Sequence, residues 1–215
     1  FRLYDKINLM NKKEELKKLE EEILKTKLPL MGTANLVFGE GNPDCGALFI
    51  GEAPGQREDE LKRPFVGRSG QLLDKMLNEI GWKREDVYIT NIVKRRPPEN
   101  RDPLPEEIES YKPYLARQIE IINPKVIAPL GRFSMNYFLP FAKISRDQGK
   151  VFEKNGRLIF PLFHPAAALR ATEVLNQLRE AFKKLPDVVS GKIFEPDTPA
   201  EPEKPKEKVS QAKLF

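Results

Sequence analysis

Apolar residues recur along this chain in two alternating periods. Across residues 12–27, Leu16, Leu19, Ile23 and Leu24 share one helical face while Lys and Glu fill the other. That spacing predicts an amphipathic helix packed on the body. Ala47–Gly51 is a short apolar run stopped by a Gly/Pro turn, the pattern of a buried strand. Residues 69–80 read as a helix, with Ser69 as its cap, Leu72, Leu73, Met76 and Leu77 as its inner face and Gly81 as its end. Residues 87–92, 125–130 and 157–163 read as further strands. Residues 105–122, 131–138 and 172–185 read as helices, the first opening on Pro105 and the last facing inward through Val174, Leu175, Leu178, Ala181 and Phe182. Strands alternating with helices predict an α/β domain with a mostly parallel sheet. Ligands of such sheets bind beyond the carboxyl ends of the strands. The segments to watch are therefore residues 51–55, Asn91 onward, Gly131-Arg132 and His164-Pro165.

Composition narrows the class. The 215 residues divide into an N-terminal helix (1–30), a body (31–190) and a Pro-rich charged tail (191–215) expected to be disordered. At 40% hydrophobic the chain can build a core, yet no run of about 18 apolar residues predicts a membrane-spanning helix. No basic-then-apolar secretory leader opens it. One cysteine, Cys45, excludes an internal disulfide and any site that needs two thiolates of the chain, and a reducing cytoplasm is the expected compartment. One histidine, His164, excludes zinc held by paired histidines. The net charge is +5; from Glu195 onward five acidic residues face four lysines, so the tail nets −1 and the rest +6. A basic body suits a polyanionic partner.

Four segments carry candidate chemistry. Gly51-Glu52-Ala53-Pro54-Gly55 follows a strand and has neither the dinucleotide fingerprint nor a P-loop; it is a plain turn or a close approach to a ligand. In residues 63–70, Arg-Pro-Phe-Val-Gly-Arg-Ser-Gly, Phe65 between Arg63 and Arg68 either stacks on a base or fills a core. Asn91 ends a strand, and its amide either reads one edge of a pyrimidine or caps a turn. Residues 94–101 concentrate Lys94, Arg95, Arg96 and Arg101, as a phosphate site or as a solvated loop. His164 follows a strand and is either functional or a satisfied core histidine.

Taken in order, Gly-Glu-Ala-Pro-Gly, Arg-Pro-Phe-Val-Gly-Arg-Ser-Gly, Ile-Thr-Asn-Ile-Val-Lys, Arg-Pro-Pro-Glu-Asn-Arg and His-Pro-Ala-Ala, preceded by Val37-Phe38-Gly39-Glu40-Gly41-Asn42-Pro43, resemble the family 4 (thermostable type) uracil-DNA glycosylases from about Phe38 to Leu185. The resemblance implies a three-layer α/β/α sandwich around a four-stranded parallel sheet. It implies an enzyme that flips uracil out of DNA and hydrolyses its glycosidic bond without cutting the strand, since no amine nucleophile lies in the matched pocket motifs. In this reading Phe65 stacks on uracil, Asn91 bonds its edge, and Ala53 and Glu58 line the same pocket. His164 faces the uracil O2, Glu52 positions water or stabilises the cationic sugar, and Asn100 assists as a further catalytic candidate. Arg68, Lys94, Arg101, Leu169 and Arg170 contact DNA. The alternative is a non-catalytic reader of uracil or abasic sites.

The resemblance also implies a [4Fe–4S] cluster on four cysteines. Here those places hold about Lys25, Leu28, Arg95 and Tyr111, so no cofactor is expected, and packing of Leu28 and Tyr111 is expected to replace the cluster as a staple. The last residues, Gln211-Ala212-Lys213-Leu214-Phe215, resemble the Gln-x-x-Leu-Phe peptide with which bacterial repair proteins bind the sliding clamp. The expected partners are uracil-containing DNA and, through Gln211, Leu214 and Phe215, that clamp. The protein is expected to act as a monomer away from membranes.

Overall fold

The sheet is built on strands with no polar face to offer. β2 (Ala47–Gly51), β3 (Tyr88–Asn91) and β4 (Val126–Pro129) are buried at every position, so both faces must be covered by helices. A computed structural model describes residues 2–193 and 196–198, with side chains from residue 9 onward. The strand order is β1-β3-β2-β4-β6-β5, where β1 is Glu40–Gly41, β5 is Phe152–Lys154 and β6 is Arg157–Ile159. β3, β2, β4 and β6 run parallel and form the expected four-stranded centre. β1 and β5 add antiparallel edges that the periodicity did not announce.

The inner strands alternate side chains between two cores. Ala47, Phe49, Val126 and Ala128 face α3 (Arg68–Glu79), α7 (Pro165–Ala168) and α8 (Thr172–Ser190) through Leu73, Met76, Leu77, Ala168, Leu178 and Phe182. Leu48, Ile50 and Ile127 face α1 (Arg2–Lys25) and α4 (Pro105–Ile122) through Leu16, Leu19, Ile23, Tyr111, Leu115 and Ile119. Short helices α2 (Gln56–Leu61), α5 (Arg132–Phe138) and α6 (Ile144–Asp147) sit in the connections. The chain leaves β2 for β3 on one side and returns to β4 on the other, so the strand order reverses around β2. A crevice opens beyond the carboxyl ends at such a reversal.

Several sequence readings shift. Leu24, expected on the buried face of α1, is 49% exposed. Gly67 rather than Ser69 is the cap of α3, in extended backbone at φ −75°. β6 ends at Ile159 instead of residue 163; beyond it the chain stays bonded to β4, Phe160 N–H donating to the Ile127 carbonyl at 2.8 Å and Leu162 N–H to the Pro129 carbonyl at 2.9 Å, and forms one bridge, Leu130 to Leu162. In the expected tail, Asp197 lies against Val151: its N–H donates to the Val151 carbonyl at 2.6 Å and its carboxylate accepts the Val151 N–H at 3.0 Å. Gln211, Leu214 and Phe215 lie outside the described residues. Among the described residues no helix is long and apolar enough to cross a membrane.

Candidate functional site

The parallel register sets Gly51 opposite Asn91. Pairing runs past the end of β2, with Ile92 N–H donating to the Gly51 carbonyl and Val93 N–H to the Glu52 carbonyl, each at 3.0 Å. A Cβ at Gly51 would stand 2.3 Å from Asn91 Oδ1 and 2.6 Å from Phe65 Cε2. Any side chain there would displace both groups, so glycine is what lets the Asn91 amide and the Phe65 ring meet. The Phe65 ring lies beside the His164 imidazole, with centroids 5.6 Å apart and planes inclined by 35°. His164 follows the β6 segment, and Gly131, at φ +89° after β4, leaves it room: a Cβ there would come within 2.9 Å of His164 Cβ. Four strand ends thus deliver Glu52, Asn91, Gly131 and His164 to one crevice, and the loop before α3 adds Phe65.

Electrostatics separates the two titratable groups. Burial pushes the Glu52 carboxyl up to about 7; Asp102 adds repulsion and Arg132 opposes it. Burial pulls the His164 imidazole down to about 4, and the Glu58 charge opposes it. His164 Nδ1 accepts the Ala166 N–H at 3.1 Å, capping α7. The neutral ring therefore carries its proton on Nε2, a donor with no partner among the described residues. Asn91 is 2% exposed, and its side-chain amide likewise has no hydrogen-bond partner among them.

The other expected residues divide. Ala53 is half-buried against the α1/α4 core. Glu58 uses Oε1 to accept the Val66 and Gly67 N–H groups at 2.9 and 2.7 Å, so that oxygen serves the loop rather than open space. Asn100 is exposed at the end of a 3-10 turn (Pro98–Asn100), where its Oδ1 accepts from Arg96 Nε at 2.8 Å; among the described residues no hydrogen bond joins it to Glu52 or His164. Arg68, at the first residue of α3, and Leu169 and Arg170, just after α7, are exposed.

Lys94 is a correction. Expected at the DNA backbone, it is fully buried, its Nζ donating to Thr90 Oγ1 and the Asn91 carbonyl at 2.7 Å each and to Gln118 Oε1. Burial holds its pKa well below the usual lysine range. Arg101 is also committed, in a bidentate pair with Glu107 at 2.8 and 2.7 Å that ties the loop to the start of α4. Sequence reasoning missed Asp102 as a charge acting on Glu52. It had marked the strand-end pair Gly131-Arg132 without giving Arg132 that role.

The four positions matched to cluster ligands are filled differently. Lys25 is exposed at the end of α1, and Leu28 packs on the α1/α4 core. Arg95 donates from Nη1 to the Ala34 carbonyl at 2.7 Å, and the fully buried Tyr111 donates its hydroxyl to the Pro29 carbonyl at 2.8 Å. The Arg95 charge also opposes the rise that burial gives the Tyr111 hydroxyl. Cys45 is buried elsewhere in that core, its thiol pushed up to about 11. No group of three or more His, Cys, Asp or Glu able to hold a metal occurs among the described residues.

Comparison with known proteins agrees with this geometry. The profile of the Uracil DNA glycosylase superfamily matches residues 38–186, from just before β1 into α8. The chain is 45% identical over 185 residues to the type-4 uracil-DNA glycosylase of Sulfurisphaera tokodaii, covering 80% of this chain and 84% of that one. It is 44% identical over 191 residues to the type-4 enzyme of Thermotoga maritima, covering 86% and 97%. It is 46% identical over 168 residues to that of Archaeoglobus fulgidus, covering 74% and 84%. With a doubly covered parallel sheet and a crevice of Glu, Phe, Asn and His at its strand ends, the chain belongs to the uracil-DNA glycosylase superfamily and, within it, to the type-4 group.

Proposed function

We propose that the protein is a monofunctional uracil-DNA glycosylase that starts base excision repair, acting on a uracil turned out of DNA into the crevice. The observation that carries this is the meeting of the Phe65 ring, the unpartnered Asn91 amide and the His164 imidazole around Gly51. Phe65 supplies a face for the uracil ring. Asn91 offers an acceptor to uracil N3–H and a donor to O4, a pattern cytosine does not match in the same orientation. His164, neutral and protonated on Nε2, donates to O2 as the N1–C1′ bond breaks and its electron pair passes into the uracil ring. A neutral donor suits this step: it stabilises the growing anion without having first bound the substrate as an ion pair. Glu52 as carboxylate orients the water whose oxygen bonds C1′, faces the cationic sugar, and takes the water's proton. With two such groups in the pocket, a non-catalytic reader is the weaker reading.

The amine nearest Asn91 is that of Lys94, buried and turned onto three oxygens, so it reaches no C1′ and strand cleavage through a Schiff base is not expected. Arg68, Leu169 and Arg170 are the DNA contacts that exposure supports. The protein works without an iron–sulfur cluster: an ammonium, an isobutyl group, a guanidinium and a phenol occupy the four matched positions, and such a cluster is held by thiolates. The terminal Gln211, Leu214 and Phe215 dock on a sliding clamp. Leu and Phe after a charged, Pro-rich stretch contribute roughly 3–5 kcal/mol once buried, before ordering costs.

Four outcomes follow. His164→Ala lowers the single-turnover excision rate by about 10²–10³-fold while affinity for abasic DNA stays unchanged; an equal loss of affinity contradicts the role. The excision rate falls below pH of about 7, as Glu52 gains its proton, by about tenfold per pH unit, and Glu52→Gln is slow and loses that acid limb. His164, at about 4, stays neutral through this range and does not create the limb. The purified chain is colourless and carries no stoichiometric iron or sulfide by metal and sulfide assay. A peptide of residues 211–215 with its preceding tail binds the clamp of the same organism in a titration, and Leu214→Ala/Phe215→Ala abolishes binding; equal binding by both peptides overturns the docking.

A further inference from the structure

Phe65 stands at φ +49°, in the left-handed region that a residue with a Cβ seldom adopts. Such a conformation persists where its surroundings over-determine it. Two charged side chains do so here. Arg84, from the 3-10 turn Arg84–Asp86, donates from Nη1 to the Phe65 carbonyl at 3.0 Å and from Nη2 to the Pro64 carbonyl. Its Nε donates to Glu40 Oε1 at 2.6 Å and its Nη1 also to Asp74 Oδ1 at 2.8 Å, so carboxylates of β1 and α3 fix the guanidinium. Glu40 is in turn held by Arg63, at 2.6 and 3.0 Å. From the other side Glu58 Oε1 accepts the next two amides, Val66 and Gly67. Gly70 completes the fit: a Cβ there would stand 1.8 Å from the Phe65 carbonyl oxygen.

We infer that Arg84 and Glu58 are positioning residues for the base-stacking face: Arg84 grips the carbonyls of residues 64 and 65, Glu58 grips the amides of residues 66 and 67, and together they hold the Phe65 ring against His164 and Asn91. This rests on the proposed role of Phe65 as the partner of the flipped base. Arg84 has the required chemistry, because only a planar fork of donors reaches two adjacent carbonyls and two carboxylates at once. It touches no base itself, so its effect on excision must pass through Phe65.

A double-mutant cycle reads that dependence. Single-turnover excision of uracil from an oligonucleotide is measured with the full chain carrying Phe65→Ala, Arg84→Met or both. Phe65→Ala slows excision about tenfold, the rate equivalent of a lost base–aromatic stack. Arg84→Met slows it by a similar factor, yet adds less than about twofold in the Phe65→Ala background. Arg84→Lys, which keeps a cation between Glu40 and Asp74 but cannot grip both carbonyls, retains the wild-type melting temperature and is slow; it serves in the cycle if Arg84→Met does not fold. Effects that multiply in full in the double variant overturn the clamp while leaving the role of Phe65 intact. A wild-type rate for Phe65→Ala overturns the stacking role, and the clamp with it.

Discussion

The crevice depends on one register: Gly51 paired with Asn91 at the carboxyl ends of β2 and β3. Because the strands are parallel and buried on both faces, that register is set by two cores at once; a slip by one residue would turn Phe49 and Ile89 toward the core that now holds Leu48, Ile50 and Tyr88. The same pairing places a glycine, Gly51, where an amide and an aromatic ring converge. Packing energy spread over some forty buried apolar side chains thereby fixes the geometry of a few polar atoms.

Around that point, burial does the electrostatic work. It raises Glu52 to about 7 and lowers His164 to about 4, so at neutral pH the histidine is an uncharged donor and the carboxyl is poised between its two forms. The opposite directions have one cause, since a desolvated site disfavours whichever form carries charge. Lys94 shows the same physics behind the pocket. Its three oxygen partners compensate a buried amine, and through it the Asn91 carbonyl is tied to Gln118 of α4.

Direct side-chain ties join α4, the loop after β3 and the segment after α1. Tyr111 and Arg95 reach from α4 and that loop to the carbonyls of Pro29 and Ala34, so hydrogen bonds link segments distant in sequence. Each is a directional tie worth about 1 kcal/mol, more for the charged guanidinium. Leu28 adds apolar burial beside them. Packing by Leu28 and Tyr111 was foreseeable from residue type, whereas the hydrogen bonds to Pro29 and Ala34 were not.

The order of the longer helices and of the four central strands, the doubly covered sheet and the segments that line the crevice were written in the chain, because a period of 3.6 or a run of apolar residues beside Gly and Pro reports local geometry directly. Gly51 and Asn91 stood out because each ends a strand, and His164 because it follows the apolar run of residues 157–163. The two edge strands were harder, although Asn155-Gly156, both at positive φ between β5 and β6, carried a hairpin signal in residue type alone. What the chain could not reveal by itself is where a charge spends its bonds. Lys94 and Arg101 look like phosphate ligands in a basic loop, yet one is buried on Thr90, Asn91 and Gln118 and the other is paired with Glu107. Arg84 looks like a surface residue and instead grips the loop of Phe65. Some of these partners are near in sequence, but Gln118 lies 24 residues from Lys94 and Glu40 lies 44 from Arg84, and only the folded packing of helices on the sheet brings such groups within reach.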